Sequence, residues 1–384
     1  MSAPQAAAAA TVKCLVWDLD NTLWNGTLLE GDDVALADGI REVITCLDAR
    51  GILQSVCSRN DHDPAWARLE ALGVAGYFVV PQIGWGRKSD AVRRIADRLN
   101  FAPGTVAFID DQPAERAEVA HSLPEVRCYR AEDATLLPDL PEFNPRAVTA
   151  DARGRRSMYQ AGFRREDEQA RFTGPHEDFL RSLEMVLRIE RATPEELARV
   201  EELTQRTSQM NATGVHYSYE TLRALLAGPG HEVLVATLTD RFGSHGAVGV
   251  VLLERHLRAW RLKLLATSCR VVAFGVGTVL INWLADQAAR AGVHLLADFR
   301  ATDRNRMMEI AYRFAGFTGV ADQPCDCWSE IRVRQIHAGG GEDGAEDGDG
   351  TAGGIQLLHL LAERRRPPTT LRLIAADLTS GAPG

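Results

Sequence analysis

The chain has 384 residues, 45% of them apolar and 25% charged, and a formal net charge of −9. That length allows two cores at roughly 150 residues per domain, and the acidic balance argues against a nucleic-acid binder, whose contact face is basic. No run of about 18 apolar residues occurs and the alanine-rich start lacks a basic flank, so a cytoplasmic protein with no membrane attachment is expected.

In chain order, residues 1–11 read as a disordered tail. From 12 to 145 short apolar strands (12–17, 53–57, 77–80, 105–109 and 126–129) alternate with helices starting near Ile40, Asp63, Ser89 and Pro113. This rhythm implies a parallel sheet with right-handed crossovers, which places ligands at the carboxyl ends of its strands. Residues 146–180 read as a charged helical connector. A second domain over 181–337 reads as a strand (186–189), helices (194–211 and 219–226) and strands (232–237, 247–254 and 258–267). A glycine-containing loop (269–277), a helix (278–292), a strand (294–299) and a helix (305–316) follow. Residues 338–384 read as a flexible acidic, glycine-rich linker, then a tail with one short amphipathic helix and a solvated basic run, Arg364–Arg366. The seven cysteines are scattered without zinc-ligand spacing, which suits a reducing compartment and mostly buried roles.

The first strand ends in Val16-Trp17-Asp18-Leu19-Asp20-Asn21-Thr22, which delivers two carboxylates just where the sheet stops. Asp18 can attack phosphorus, splitting hydrolysis into two displacements, while Asp20 protonates the leaving oxygen and later deprotonates water. Two carboxylates facing a phosphate need positive charge, which Mg2+ supplies through oxygen ligands. The expected ligands are Asp18, the main-chain oxygen of Asp20 and an acid from Phe108-Ile109-Asp110-Asp111-Gln112-Pro113. Asp111 is favoured over Asp110, with Glu115 orienting a bound water. Lys, at positions 13, 88 and 263, makes up three of 43 basic residues, so Lys88 at a helix start stands out as the cation for Asp18 and phosphate. Ser58, ending Ser55-Val56-Cys57-Ser58, offers a hydroxyl to a phosphoryl oxygen, and Arg59 and Asn60 join it as phosphate-binding candidates. Residues 23–38 and 60–87 are too short for a cap domain, so the site should admit large substrates or a group on a partner's arm.

These four motifs, in this order, resemble those of the haloacid-dehalogenase superfamily, implying a capless Rossmannoid parallel sheet within an α/β class. The stretch Leu264–Leu280 resembles the acyl-CoA loop of the GNAT fold: Arg270, Gly275 and Gly277 fit its Arg/Gln-x-x-Gly-x-Gly pattern, with Ala273 where a glycine is usual. It places Cys269 beside Arg270 and before a helix N-terminus, a setting that lowers thiol pKa.

Together with Thr204-Gln205-Arg206-Thr207-Ser208-Gln209-Met210-Asn211, Asp240-Arg241-Phe242-Gly243 and Ser268-Cys269-Arg270-Val271, the chain from 12 to about 335 resembles the FkbH-like family. In that family a subfamily IIIC phosphatase is fused to a GNAT-like α+β domain. The resemblance implies a bifunctional glyceryltransferase/phosphatase of polyketide biosynthesis. Such an enzyme takes phosphoglyceryl from 1,3-bisphosphoglycerate, removes its phosphate and loads glyceryl onto an acyl carrier protein for methoxymalonyl-type or related extender units. Cys269 would carry the acyl group. Thr207 and Asn211, four apart on one helix face, and Gln209 to the side are assigned to substrate hydroxyl or amide contacts, with Arg270 beside them. Two other readings remain open: a phosphatase whose second domain only docks a carrier protein, and a GNAT-like N-acyltransferase with a vestigial phosphatase.

Overall fold

A computed structural model describes residues 11–145, 148–207, 210–320, 327, 331 and 354–379. The fold is α/β, and the chain divides into two compact units, Met1–Arg164 and Arg165–Gly384, within the helix Arg155–Arg171.

The first unit is built on five parallel strands, β1 (Cys14–Trp17), β2 (Leu53–Ser58), β3 (Gln82–Ile83), β4 (Val106–Asp110) and β5 (Arg127–Arg130), in the order β3-β2-β1-β4-β5. Helices α1 (Ile40–Ala49), α2 (His62–Ala71), α3 (Lys88–Leu99) and α4 (Pro113–Ser122) make the crossovers. Along β1, Leu15 and Trp17 enter one core while Cys14 and Val16 enter another; β4 divides Ala107 and Ile109 from Val106 and Phe108 in the same way. Both sheet faces are therefore covered, as a parallel sheet with helices on either side requires. β1 pairs with both β2 and β4, so the chain order reverses there and a crevice opens beyond its carboxyl end.

The expected strand at 77–80 is absent. Ala75–Tyr77 form a 3-10 turn and Phe78 makes a single bridge to Gln54. Val80 sits at φ 52 before Pro81, a conformation that a β-branched residue enters only under constraint and that no strand can pass through. Pairing resumes at β3.

The second unit carries an eight-stranded mixed sheet: β6 (Val186–Arg191), β7 (His231–Asp240), β8 (Gly243–Arg255), β9 (Ala259–Thr267), β10 (His294–Phe299), β11 (Thr318–Gly319), β12 (Gln356–Leu360) and β13 (Arg372–Ala375). Their order is β11-β12-β10-β9-β8-β7-β6-β13. Strands β6 to β9 form an antiparallel meander, and β10 returns parallel to β9 after helix α5 (Val276–Ala291). Two apolar clusters, one holding Leu253 and Val251 and the other Leu252 and Val250, cover opposite faces of the sheet.

Two expectations fail in this unit. The helix expected over 194–211 runs only over Leu197–Arg206, after a capping box in which Thr193 and Glu196 reciprocate. Beyond the helix end the chain turns at Asn211, whose side-chain Oδ1 accepts the main-chain N–H groups of Thr213 and Gly214, at 3.0 and 2.9 Å, the competition with helix that Asn side chains offer. The tail is no appendage either. β12 pairs antiparallel with β10 from Leu295↔Leu360 to Phe299↔Gln356, and β13 pairs parallel with β6. The free edges of β10 and β6 are thus covered by strands from the tail, and Arg364 of the basic run donates to Asp286 at 2.7 Å.

Candidate active site

The carboxyl ends of β1, β2 and β4 and the first residue of α3 bring the sequence-derived acids and Lys88 together. Asp18 follows β1, its main-chain N–H donating to the Ile109 carbonyl at 3.0 Å. The Lys88 ammonium lies 2.7 Å from Asp18 Oδ1 and 2.5 Å from Asp110 Oδ2, and all three side chains are almost fully buried. Asp110 is further committed, since its Oδ1 accepts the Gln112 N–H at 2.7 Å and its main-chain oxygen accepts Arg116 at 2.6 Å. Thr22 joins the motifs, donating toward Asp18 Oδ2 at 3.4 Å while its oxygen accepts the Asp111 N–H at 3.0 Å.

Burial sets the electrostatics. It pushes Asp18 up to about 6, with Lys88 opposing and Asp110 adding to the rise. Asp111 is raised by burial and by Asp110, and Lys88 is raised because the two carboxylates outweigh its own desolvation. Carboxylates raised in this way are short of positive charge.

A cation fits there. Asp18, Asp110 and Asp111 each place a carboxylate oxygen within 4.8 Å of the others, and the buried Asp111 Oδ1 has no hydrogen-bond partner. An all-oxygen cluster suits a hard divalent ion such as Mg2+. The side chain of Asp20 lies outside this cluster. Three donors hold it: Trp24 Nε1 at 2.8 Å and Leu28 N at 3.0 Å on Oδ1, and Asn60 Nδ2 at 3.0 Å on Oδ2. Trp24 was missed from sequence as a site residue; its signal is the indole four residues beyond Asp20.

Ser58 ends β2, buried, beside a cavity of about 140 Å3 also lined by Cys57, Gly84, Gly86, Arg87 and Lys88. Arg59 pairs with Glu115 at 2.7 Å, and the other Glu115 oxygen is buried without a hydrogen-bond partner. Asn60, expected on phosphate, spends its amide on Asp20. Residues 23–38 form little more than the two-residue hairpin Trp24–Asn25 with Ala35–Leu36.

The second-unit candidates are not assembled in the same way. Cys269 is exposed and opens a 3-10 turn (Cys269–Phe274) whose N-cap Ser268 accepts the Arg270 N–H at 3.4 Å and its Nε at 3.3 Å. Thr207 and Asn211 do not share a helix face: the helix stops at Arg206, and Thr207 donates back to the Leu203 carbonyl at 2.7 Å. Asn211 is fully buried, with Nδ2 on Val215 O at 3.1 Å and its backbone bridged to Ala266, so both side chains serve the fold. Gln209 lies outside the described residues. The Asp240-Arg241-Phe242-Gly243 string makes the β7–β8 turn. Asp240 accepts Phe242 N and Gly243 N on Oδ1 and Arg165 and His245 on Oδ2, at 2.5 and 3.0 Å. Burial would raise Asp240, but the His245 and Arg165 hydrogen bonds outweigh it and hold the carboxyl well below its usual range.

Residues 26–122 match the family model for haloacid dehalogenase-like hydrolases, starting just after Asp18 and Asp20. The first unit therefore carries a hydrolase domain of that type. No curated protein matches. Among solved structures, the N-terminal part of a Bacteroides fragilis protein containing a phosphatase domain complexed with Mg is 28% identical, with a TM-score of 0.31, over 35% of this chain and 40% of that one. The ribosomal-protein-S18-alanine N-acetyltransferase of Escherichia coli aligns at 18% identity and TM-score 0.30 over 45% of this chain and 92% of its own. An acetyltransferase of the GNAT family from Desulfovibrio desulfuricans aligns at 15% and 0.28 over 35% and 85%. Among the described residues no helix is long and apolar enough to cross a membrane.

Proposed function

We propose that the protein is a Mg2+-dependent phosphatase and glyceryltransferase of the FkbH-like kind, which accepts phosphoglyceryl from 1,3-bisphosphoglycerate and delivers glyceryl to an acyl carrier protein. The observation that carries the phosphatase half is the buried Asp18–Lys88–Asp110 cluster at the sheet's carboxyl edge, with the Asp111 oxygen left unpaired beside it. Asp18, Asp111 and the main chain of Asp20 would hold the ion, which neutralises phosphate charge. Lys88 keeps Asp18 ionised for attack on the ester phosphorus, giving an aspartyl phosphate and expelling the alkoxide. Asp20, oriented by Trp24, Leu28 and Asn60, gives its proton to that alkoxide and takes one from the water that then cleaves the aspartyl phosphate. Ser58, which lines the adjoining cavity, and Arg59, released from Glu115, would bind phosphoryl oxygens.

The transferase half rests on the exposed Cys269 thiol at the start of its turn. Its thiolate would attack the acyl carbon of 1,3-bisphosphoglycerate, releasing the acyl phosphate as inorganic phosphate and leaving a thioester. After the remaining phosphate is removed, the carrier's pantetheine thiol would take the glyceryl group and regenerate Cys269. An acyl phosphate is already activated, so the sequence of steps needs no nucleotide.

Intact-protein mass spectrometry after exposure to 1,3-bisphosphoglycerate is the test. The proposal expects a phosphoglyceryl adduct that accumulates in Asp18→Asn, is removed by hydroxylamine and is missing from Cys269→Ala. Should carrier loading proceed with no adduct in either variant, transfer is direct and Cys269 has no covalent role. Phosphate release without any loading would leave a phosphatase with a docking module.

A further inference from the structure

A second set of converging donors lies in the other unit, on elements far apart in sequence. His294 begins β10 and His359 lies in β12, paired opposite Leu296. Residues two apart on a strand share a face, so both imidazoles project from one side of the sheet. His294 Nδ1 is 2.8 Å from His359 Nε2, and the ring centroids are 5.0 Å apart at an interplanar angle of 62°. The Cys327 sulfur completes the group, each residue placing one donor atom within 4.8 Å of the others. Cys327 and His359 are 3% and 2% exposed, and Ala259, Leu296 and Ile331 pack around them.

We propose that His294, Cys327 and His359 form a structural zinc-type site that fastens β12 to the sheet. Two nitrogens and one sulfur are borderline-soft donors, the set that zinc takes in tetrahedral geometry, with one position left for water or a further donor. Bond lengths of about 2.0–2.1 Å to nitrogen at a tetrahedral angle put two ligating nitrogens about 3.3 Å apart. The observed 2.8 Å therefore needs a small opening of the two rings rather than a rearrangement of the strands. The contrast with the phosphatase cluster is chemical: that one is all oxygen and suits Mg2+, whereas this nitrogen and sulfur set has little affinity for so hard an ion. The three donors are spread over 65 residues of sequence, and β12 is held at its own edge by β11, a strand of two residues. A metal bridging β10, Cys327 and β12 would supply the tie that so short a neighbour cannot. Cysteine spacing alone could not have shown the site, since its ligands come from three separate segments.

The test uses the full chain, produced with zinc in the medium, desalted, and kept in excess Mg2+ so that the carboxylate cluster is saturated. Elemental analysis should find about one zinc per chain, and both Cys327→Ser and His359→Gln should lose it. Should either variant fail to fold, wild-type protein stripped with a chelator and titrated with Co2+ decides the matter. The expected result is the intense visible spectrum of tetrahedral cobalt with a thiolate-to-metal band, together with a rise in melting temperature. A stripped protein that takes up no cobalt at the zinc stoichiometry, or binds it without a thiolate band, overturns the assignment, as does full zinc retention in His359→Gln.

Discussion

Replacing Lys88 by Met keeps the length of the side chain and deletes its charge, which leaves Asp18 and Asp110 facing one another, 3% and 0% exposed, without the ammonium that each now contacts at 2.7 and 2.5 Å. Removing one partner from a buried ionic group costs about 3–5 kcal/mol. For a unit of this size each kcal/mol moves the melting temperature by roughly 3 °C, so the loss should be about 10–15 °C. The assay is thermal unfolding followed by circular dichroism, in EDTA so that no metal replaces the lost charge, alongside phosphate release from a generic phosphate ester in Mg2+. Lys88→Met combined with Asp110→Asn should recover part of the melting temperature, because one surplus anion is gone, and none of the turnover. Lys88→Arg should keep most of the stability but not the activity, since a planar guanidinium cannot occupy two contacts made by a compact ammonium. Wild-type melting and turnover in Lys88→Met would refute the reasoning.

Further outcomes follow from other residues. Asp111→Asn should raise the Mg2+ concentration for half-maximal phosphate release by at least about 10-fold without lowering the melting temperature in EDTA, because burial and Asp110 already disfavour that charge; an unchanged magnesium titration would contradict it. Asp240→Asn should cost about 3–5 kcal/mol at neutral pH, by leaving Arg165 buried without its carboxylate. Because the folded carboxyl lies well below its ordinary value, the contribution of Asp240 is complete above about pH 4 and drains away as pH falls further. The melting gap between the two proteins should therefore narrow as pH falls from about 4 towards 2, and a gap at pH 2 as wide as at pH 7 would be the wrong result.

The acidic site of the hydrolase domain was legible because its chemistry is local. Each acid stands at the end of an apolar strand that periodicity identifies, and the parallel sheet then fixes where those ends meet, so Asp18, Asp110 and Lys88 converge without any long-range guess. The scarcity of lysine marks Lys88 from the sequence alone. What failed is what no local pattern records. Val80 breaks its strand through one backbone angle. Asn211 lies beyond the helix, in a turn where its side chain takes backbone N–H groups and its backbone bridges to Ala266 of β9, 55 residues onward. The tail reads as an appendage until the edge of β10 is there to pair with it. His294, Cys327 and His359 meet for the same reason, through strand pairing across segments that share no motif.

The most direct test of the central claim is the Mg2+-dependent release of phosphate from a phosphate ester by wild-type protein and by Asp18→Asn. That substitution deletes the nucleophile and one oxygen of the acidic cluster while leaving Lys88 paired with Asp110. The account predicts release that requires Mg2+ in the wild type and falls by at least about 10^3-fold in Asp18→Asn, with a melting curve that still shows a folded protein. Phosphate release near the wild-type rate from Asp18→Asn would contradict it.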